Sequence, residues 1–196
     1  QTLILCPKSV GAVWPEQFAL HTPQTRDIVC LDLTSEKGTV EKKTMKANEF
    51  LELARIKNQQ AVLIVNYESA WRKPFSEWAL KQQFDLVILD ESHRIKSPGS
   101  KIGIYAAKLG KTAKYRLALT GTPMPHSPMD IYSQYKFLDS GIFGTSFVAF
   151  KNRYAVMGGF QGHEVVDWQN KEEMNRKFYS IAYKADKSVI ELPEYM

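Results

Sequence analysis

Five short, unbroken apolar runs, separated by stretches of helical periodicity, constrain this chain more than any other feature. Residues 2–6, 28–33, 61–66, 86–90 and 117–120 each place about four to six mostly apolar residues in a row. A strand apolar at nearly every position has no face to offer water, so it has to be covered on both sides. Between the runs lie helical candidates: 10–21, with Val13, Phe18 and Leu20 on one side; 41–57, with Met45, Phe50, Leu53, Ala54 and Ile56; the short 76–83; and 101–109, with Ile104, Tyr105, Ala107 and Lys108. This alternation predicts an α/β fold with a mostly parallel sheet between layers of helices. Past Pro123 the pattern changes. Residues 129–138, 147–154 and 172–180 read as helices, 139–144 as a turn-rich break, 158–162 as a glycine-rich stretch and 181–184 as a weak strand. The expected organisation is a sheet domain over 1–124, a mainly helical extension over 125–180 and an exit segment over 181–196.

Several classes are excluded. The longest aliphatic runs, 61–65 and 86–89, are far short of the roughly 18 residues that cross a bilayer. Cys6 and Cys30 both sit in strand-like runs and make no disulfide framework, which fits a reducing compartment. The four histidines and two cysteines include no pair at zinc-ligand spacing, so no structural metal is expected. Nothing resembles the strained serine turn of a hydrolase. The chain opens directly on a strand and ends just after a proline, as an excised piece of a longer protein would.

Charge is unevenly spread. The net charge is +5, yet residues 92–129 contain no Asp or Glu and carry Arg94, Lys96, Lys101, Lys108, Lys111, Lys114 and Arg116. Such a local field suits a phosphate-bearing partner, nucleic acid or nucleotide, or else marks a lysine-rich solvated helix and loop.

The strongest chemical signal is Leu86-Val87-Ile88-Leu89-Asp90-Glu91-Ser92-His93. In an open parallel sheet, ligands bind beyond the carboxyl ends of the strands, where this run delivers two adjacent carboxylates. Phosphoryl transfer to water needs a cation held by an acidic group and a carboxylate that positions the water. Asp90 suits the first role, through Mg²⁺ and its waters, and Glu91 the second; a merely acidic strand end is the alternative. Leu117-Ala118-Leu119-Thr120-Gly121-Thr122-Pro123, whose Thr120 comes thirty residues after Asp90, is a second run ending in hydroxyl residues, with His93 as a partner for its turn. Leu5-Cys6-Pro7-Lys8-Ser9 and Val65-Asn66-Tyr67-Glu68 end two more strands in polar groups. Trp14, Phe18, Trp71, Trp78 and Phe84 read as packing aromatics or as base-stacking surfaces, and His163-Glu164 as a surface turn.

In this order the segments resemble the Swi/Snf-type ATPases of helicase superfamily two, including smaller bacterial and phage members. Asp90 to His93, extended through Lys101, looks like the second helicase motif, and Leu117 to Pro123 like the third. Pro7-Lys8-Ser9, with Trp14 and Phe18 behind it, looks like motif Ia, and Asn66-Tyr67-Glu68 like motif Ib. Ser127 to Ser133, Phe137-Leu138-Asp139, Phe150 to Tyr154 and Glu191-Leu192-Pro193 match the segments that follow. The resemblance implies the first of two RecA-like, P-loop NTPase lobes of a motor that uses ATP and Mg²⁺ to move along double-stranded DNA. It implies magnesium and water-activating roles for Asp90 and Glu91, and coupling roles for His93, Thr120 and Thr122. It places Lys8, Ser9, Asn66, Tyr67, Arg94, Lys96 and Lys101 along the DNA backbone, where contacts carry little sequence preference. His126 stands where many relatives have asparagine.

A working site also needs a glycine-rich phosphate loop. Gly110-Lys111-Thr112 matches part of one, but the pattern's first glycine would fall on Tyr105, and a helix rather than a strand precedes it. It reads instead as a helix end capped by glycine. The expected loop precedes Gln1 and the second lobe follows Met196, so this piece by itself is expected to be inactive. The parent would be cytoplasmic and nucleoid-associated if bacterial or phage, nuclear if eukaryotic. The rival reading is a non-hydrolysing DNA-binding or scaffold protein that keeps the motor fold.

Overall fold

The computed structural model describes residues 1–23, 26–159 and 164–185. The chain forms two compact units, Gln1–Gly141 and Ile142–Met196.

The first unit is built on five parallel strands in the order β2-β3-β1-β4-β5: β1 (Thr2–Cys6), β2 (Ile28–Asp32), β3 (Gln60–Asn66), β4 (Leu86–Asp90) and β5 (Tyr115–Leu119). Register matters most at their carboxyl ends. Cys6 pairs with Asn66, Leu5 with Leu89 and Asp90 with Leu119, so four strands finish side by side. Alternate residues of the central strands feed two cores. Leu3, Leu5, Leu63, Val65, Val87 and Leu89 pack under α2 (Val40–Ile56), α3 (Tyr67–Ala70), α4 (Phe75–Lys81) and α5 (Lys101–Thr112). On the other face, Ile4, Cys6, Ile64 and Ile88 meet α1 (Val13–His21) through Trp14 and Phe18. The result is the expected three-layer α/β sandwich with a mostly parallel sheet.

Local expectations needed correction where burial, not composition, decides. In α1, Val13 and Leu20 are exposed, and Trp14 and Phe18 do the packing. The helix starts at Val13 rather than at Val10, which instead ends a 3-10 turn, Lys8–Val10. In α2 the buried stripe is Lys43, Ala47, Leu51 and Ala54, while Met45, Leu53 and Ile56 face solvent. Ala47 and Ala54 permit close approach to the sheet, and Leu51 packs in the core beside them. Strand β5 begins two residues before the expected run and is not buried: Tyr115, Leu117 and Leu119 share one exposed face. It is the sheet's edge strand, and α1 covers only the portion of that face formed by β1, β2, β3 and β4. Gly110 caps nothing. Helix α5 runs past it to Thr112, and a Cβ at 110 would stand 2.5 Å from the Phe137 carbonyl oxygen. Its role is the close approach of α6 (Ile131–Leu138), which follows a 3-10 turn at Pro128–Asp130.

The turn-rich break contains one helical turn, α7 (Ser140–Phe143). The second unit holds α8 (Phe147–Tyr154), an antiparallel pair β6 (Ala155–Gly158) and β7 (Glu164–Trp168), and α9 (Lys171–Phe178). This strand pair was not expected; of the glycine-rich stretch 158–162, Gly158 ends β6, and 160–162 lie outside the described residues. A cluster of Phe143, Phe150 and Tyr154, with ring centroids 5.0–5.9 Å apart, forms its core. No strand forms over 181–184; the chain there is irregular. Residues 160–163, including His163, and 186–196, including Glu191, Leu192 and Pro193, lie outside the described residues. No helix among the described residues is long and apolar enough to cross a membrane.

Candidate functional site

The site begins where β4 ends. Asp90 is the last residue of that strand and only half-buried. The Trp14 indole Nε1 donates to its Oδ2 at 3.2 Å, and the Tyr67 hydroxyl donates to its backbone carbonyl at 2.7 Å. Helix α1 on one side and the start of α3 on the other therefore hold the same residue. Burial, with the Asp90 charge as the next contribution, drives the Tyr67 phenol well above its ordinary pKa. Its proton stays on oxygen and the bond stays a donor bond. The other carboxylate oxygen, Oδ1, accepts from no donor among the described residues.

Glu91 turns the chain out of the sheet in a left-handed conformation, φ 53° and ψ 53°. For a side chain larger than glycine this costs about 1–2 kcal/mol, and the following residues hold it: Ser92 and Ile95 are fully buried. The turn aims Glu91 across the sheet edge. Its Oε2 lies 3.2 Å from His93 Nδ1 and 3.5 Å from the Thr120 hydroxyl, while His93 Nδ1 and Thr120 Oγ1 are 3.1 Å apart. Thr120 also accepts from the Thr122 backbone N–H at 3.1 Å. Three groups that can exchange hydrogen bonds thus meet at one point. His93 Nδ1 donates to Glu91 or Thr120 when it carries a hydrogen and accepts from Thr120 when it does not, so moving the carboxylate would redistribute the bonds at this point. Thr122 joins through its backbone; its side chain is exposed.

The remaining strand ends form a second group. Lys8 and Ser9 are exposed on the turn after β1. Asn66 and Tyr67 are 7 % and 3 % exposed, so they support the edge from beneath. Asn66 donates to Glu68 at 2.8 Å and accepts from Lys43 at 3.4 Å. Arg94 pairs with Glu68 at 3.0 Å and lies over the Tyr67 ring, its guanidinium carbon 6.0 Å from the centroid. Burial pushes the Glu68 carboxyl up, but hydrogen bonds from Asn66 and its own backbone N–H, with the Arg94 charge, bring it below the ordinary value. Lys101 stands 5.2 Å over Trp71, and Lys96 is half-buried. Trp71, Trp78 and Phe84 belong to the core's edge, with Phe84 fully buried.

Lys43 and Gln134 had no sequence signal, and Asp130 lay in a matched segment without an assigned role. Lys43, on a lysine-rich helix, is 6 % exposed and also reaches Ser69 at 3.3 Å. Its burial, then the charge of Lys8, lowers its pKa. Asp130 accepts from the backbone N–H of His126 at 2.8 Å and of Ser127 at 3.2 Å, so His126 enters through its main chain. Gln134, 4 % exposed, accepts from the Ser92 hydroxyl at 2.7 Å. Only the fold brings these residues to the motifs they serve.

No cluster of three or more His, Cys, Asp or Glu side chains among the described residues could hold a metal by itself. A single half-exposed carboxylate with an uncommitted oxygen fits a Mg²⁺ that keeps its waters and takes its other ligands from substrate phosphates.

The chain resembles known proteins over most of its length. The chain is 28% identical over 175 residues to the SWI/SNF-related matrix-associated actin-dependent regulator of chromatin subfamily A-like protein 1 homolog of Caenorhabditis elegans, covering 88% of this chain and 22% of that protein. It is 30% identical over 154 residues to the DNA repair and recombination protein RDH54 of Saccharomyces cerevisiae, covering 79% of this chain and 16% of that protein. Among solved structures, the Sulfolobus solfataricus SWI2/SNF2 ATPase core in complex with dsDNA matches with a TM-score of 0.62 at 23% identity. That match covers 91% of this chain and 32% of the other, and it establishes the fold. This chain therefore spans a third or less of each of these proteins. The profile of the SNF2-related domain matches residues 1–186, and the chain belongs to that family.

Proposed function

We propose that this chain is part of an ATP-dependent translocase on double-stranded DNA, forming most of its first RecA-like lobe, with 125–180 as the lobe's extension and 181–196 leading to the second lobe. The observation that carries the reading is the meeting of Glu91, His93 and Thr120 beside Asp90, at the edge that also presents Lys8, Ser9 and Arg94. Homologues named for chromatin regulation and DNA repair support it.

In this reading Asp90, oriented by Trp14 and Tyr67, would hold Mg²⁺ through water with its uncommitted oxygen. That ion would supply positive charge to offset the charge that develops on the ATP phosphates. Glu91 accepts a hydrogen bond from the attacking water and polarises it. As that carboxylate engages water, it releases Thr120 and His93, and the loop carrying Thr120 and Thr122 shifts. Lys8, Ser9, Arg94, Lys96 and Lys101 take the DNA backbone, with Asn66 and Tyr67 supporting them. Such contacts bind through phosphate charge and carry little sequence preference. A phosphate loop and an arginine from the second lobe complete the site, and the protein acts wherever its duplex lies, nucleoid or nucleus.

The test is Glu91→Gln in the full-length, two-lobe protein. Hydrolysis of ATP should be stimulated several-fold by duplex in the parent and abolished in the variant, while DNA affinity stays unchanged. Comparable turnover by the variant would refute the role of Glu91. No hydrolysis by the folded parent, with Mg²⁺ and duplex present, would transfer the assignment to a scaffold that retains the fold.

A further inference from the structure

We propose that Gln134 is a positioning residue that fixes the loop after β5 against the turn after β4, and so holds Thr120 within reach of Glu91 and His93. The inference rests on the function proposed above. Its structural part stands on the hydrogen bonds alone.

Gln134 lies on α6 and is 4 % exposed. Its amide makes three bonds to three different segments. Nε2 donates to the Pro123 carbonyl at 2.7 Å and to the Asp130 carbonyl at 2.9 Å, and Oε1 accepts from Ser92 Oγ at 2.7 Å. The polarity leaves no choice. Backbone carbonyls only accept, so both amide protons must face Pro123 and Asp130, and the Ser92 hydroxyl must donate to the oxygen. Ser92 is fully buried and directly follows the strained backbone of Glu91. Pro123 ends the turn that begins at Thr120. The side chain thus ties together the two segments whose tips form the Glu91–His93–Thr120 contact, and Asp130, whose carboxylate holds the intervening backbone at His126 and Ser127.

Other residue types at 134 fail in distinct ways. Leucine fills the space but leaves the Ser92 hydroxyl and the Pro123 carbonyl without their partner. Glutamate keeps the Ser92 bond but sets a carboxylate oxygen against two carbonyls. Serine-to-alanine at 92 removes only one arm and leaves the Gln134–Pro123 bond in place. A tether predicts a graded order: Gln134→Glu and Gln134→Leu release the loop, and Ser92→Ala loosens it less.

The experiment has two arms on the full-length protein. Amide hydrogen exchange is measured over residues 119–127, with β1 and β3 as internal references. ATP hydrolysis is measured with saturating duplex. Expected for Gln134→Leu and Gln134→Glu is at least tenfold faster exchange over 119–127 with unchanged exchange in β1 and β3. The kcat should fall about tenfold, with KM for ATP moving less than twofold. Ser92→Ala should give a smaller change in the same direction. Unchanged exchange over 119–127 in the folded variants overturns the proposal, as does loss spread evenly over the sheet, which marks a general stability role. Should Gln134→Leu not fold, Ser92→Ala decides: no change in either arm overturns the tether. If the parent shows no ATP hydrolysis, the functional reading fails by itself, and the exchange arm still tests the tether.

Discussion

Gly110 offers the sharpest test of how this fold is packed, because two large effects there have opposite sign. It occupies the interior of α5 with ordinary right-handed geometry, so alanine would gain about 1 kcal/mol in intrinsic helix preference. Against that, the new methyl would stand 2.5 Å from the Phe137 carbonyl oxygen and 2.9 Å from the Phe137 ring. The oxygen belongs to the backbone of α6 and cannot rotate away as a side chain would, so the two helices must part. Phe137 is itself buried, and separating the helices loosens the core around Leu109 as well. Overpacking of this kind costs about 1–3 kcal/mol, and with a rigid obstacle the upper half of that range applies. The expected net effect of Gly110→Ala is a loss of about 1–2 kcal/mol, or a fall in Tm of about 2–8 °C for a protein of this size. Gly99→Ala is the control, since a Cβ there meets nothing within 4 Å. Urea unfolding followed by tryptophan fluorescence compares the two. Gly110→Ala as stable as the parent, or as stable as Gly99→Ala, would refute the close-approach argument.

Three further outcomes are expected. Trp14→Phe keeps the ring against Phe18 but removes the N–H that Asp90 accepts; with Asp90 half-exposed, stability should fall by about 1 kcal/mol in urea titrations, and no change would dismiss the bond. Burial, then the Asp90 charge, pushes the Cys6 thiol up to about 12 from 9.0. Its contribution to stability is therefore complete below pH 9.0 and lost as pH rises toward 12. Iodoacetamide at pH 8.5 should leave native Cys6 unmodified and label it in urea; equal rates would contradict this. In the second unit, hydrogen bonding from Arg153, and after it from Tyr154 and Lys177, outweighs desolvation and brings the Glu173 carboxyl down to about 2. That contribution is present above pH 4.5 and lost as pH falls through 2. A carboxyl carbon NMR titration should find the midpoint near 2, and one near 4.5 would show the ion pair to be absent in solution.

What the sequence made legible follows from which forces act locally. Uniformly apolar runs declare buried parallel strands, and their last residues declare what the carboxyl edge will carry. Asp90, Glu91, His93 and Thr120 could thus be placed together before any coordinates. Neighbours supplied by distant segments were not legible. Nothing in 41–57 distinguishes Lys43, which is buried, from Lys42 and Lys46, which are not. Gln134 falls between the two matched segments of its helix, and its meaning comes from Ser92, forty-two residues away. Edge position is equally non-local: the run at 117–120 is as apolar as the others, yet its strand is exposed because of where it pairs. The Gly-Lys-Thr at 110–112 imitates a phosphate loop only while the chain is read as letters.

The left-handed backbone at Glu91 has a consequence for how such a site fails. A residue held against its own conformational preference relaxes as soon as its support softens, and its support here is the burial of Ser92 and Ile95. The carboxylate would swing away from His93 and Thr120 while the β1–β3–β4 ladder beneath was still intact. Warming should therefore free the Glu91 carboxylate before it melts the sheet, which makes this turn the thermal fuse of the first unit.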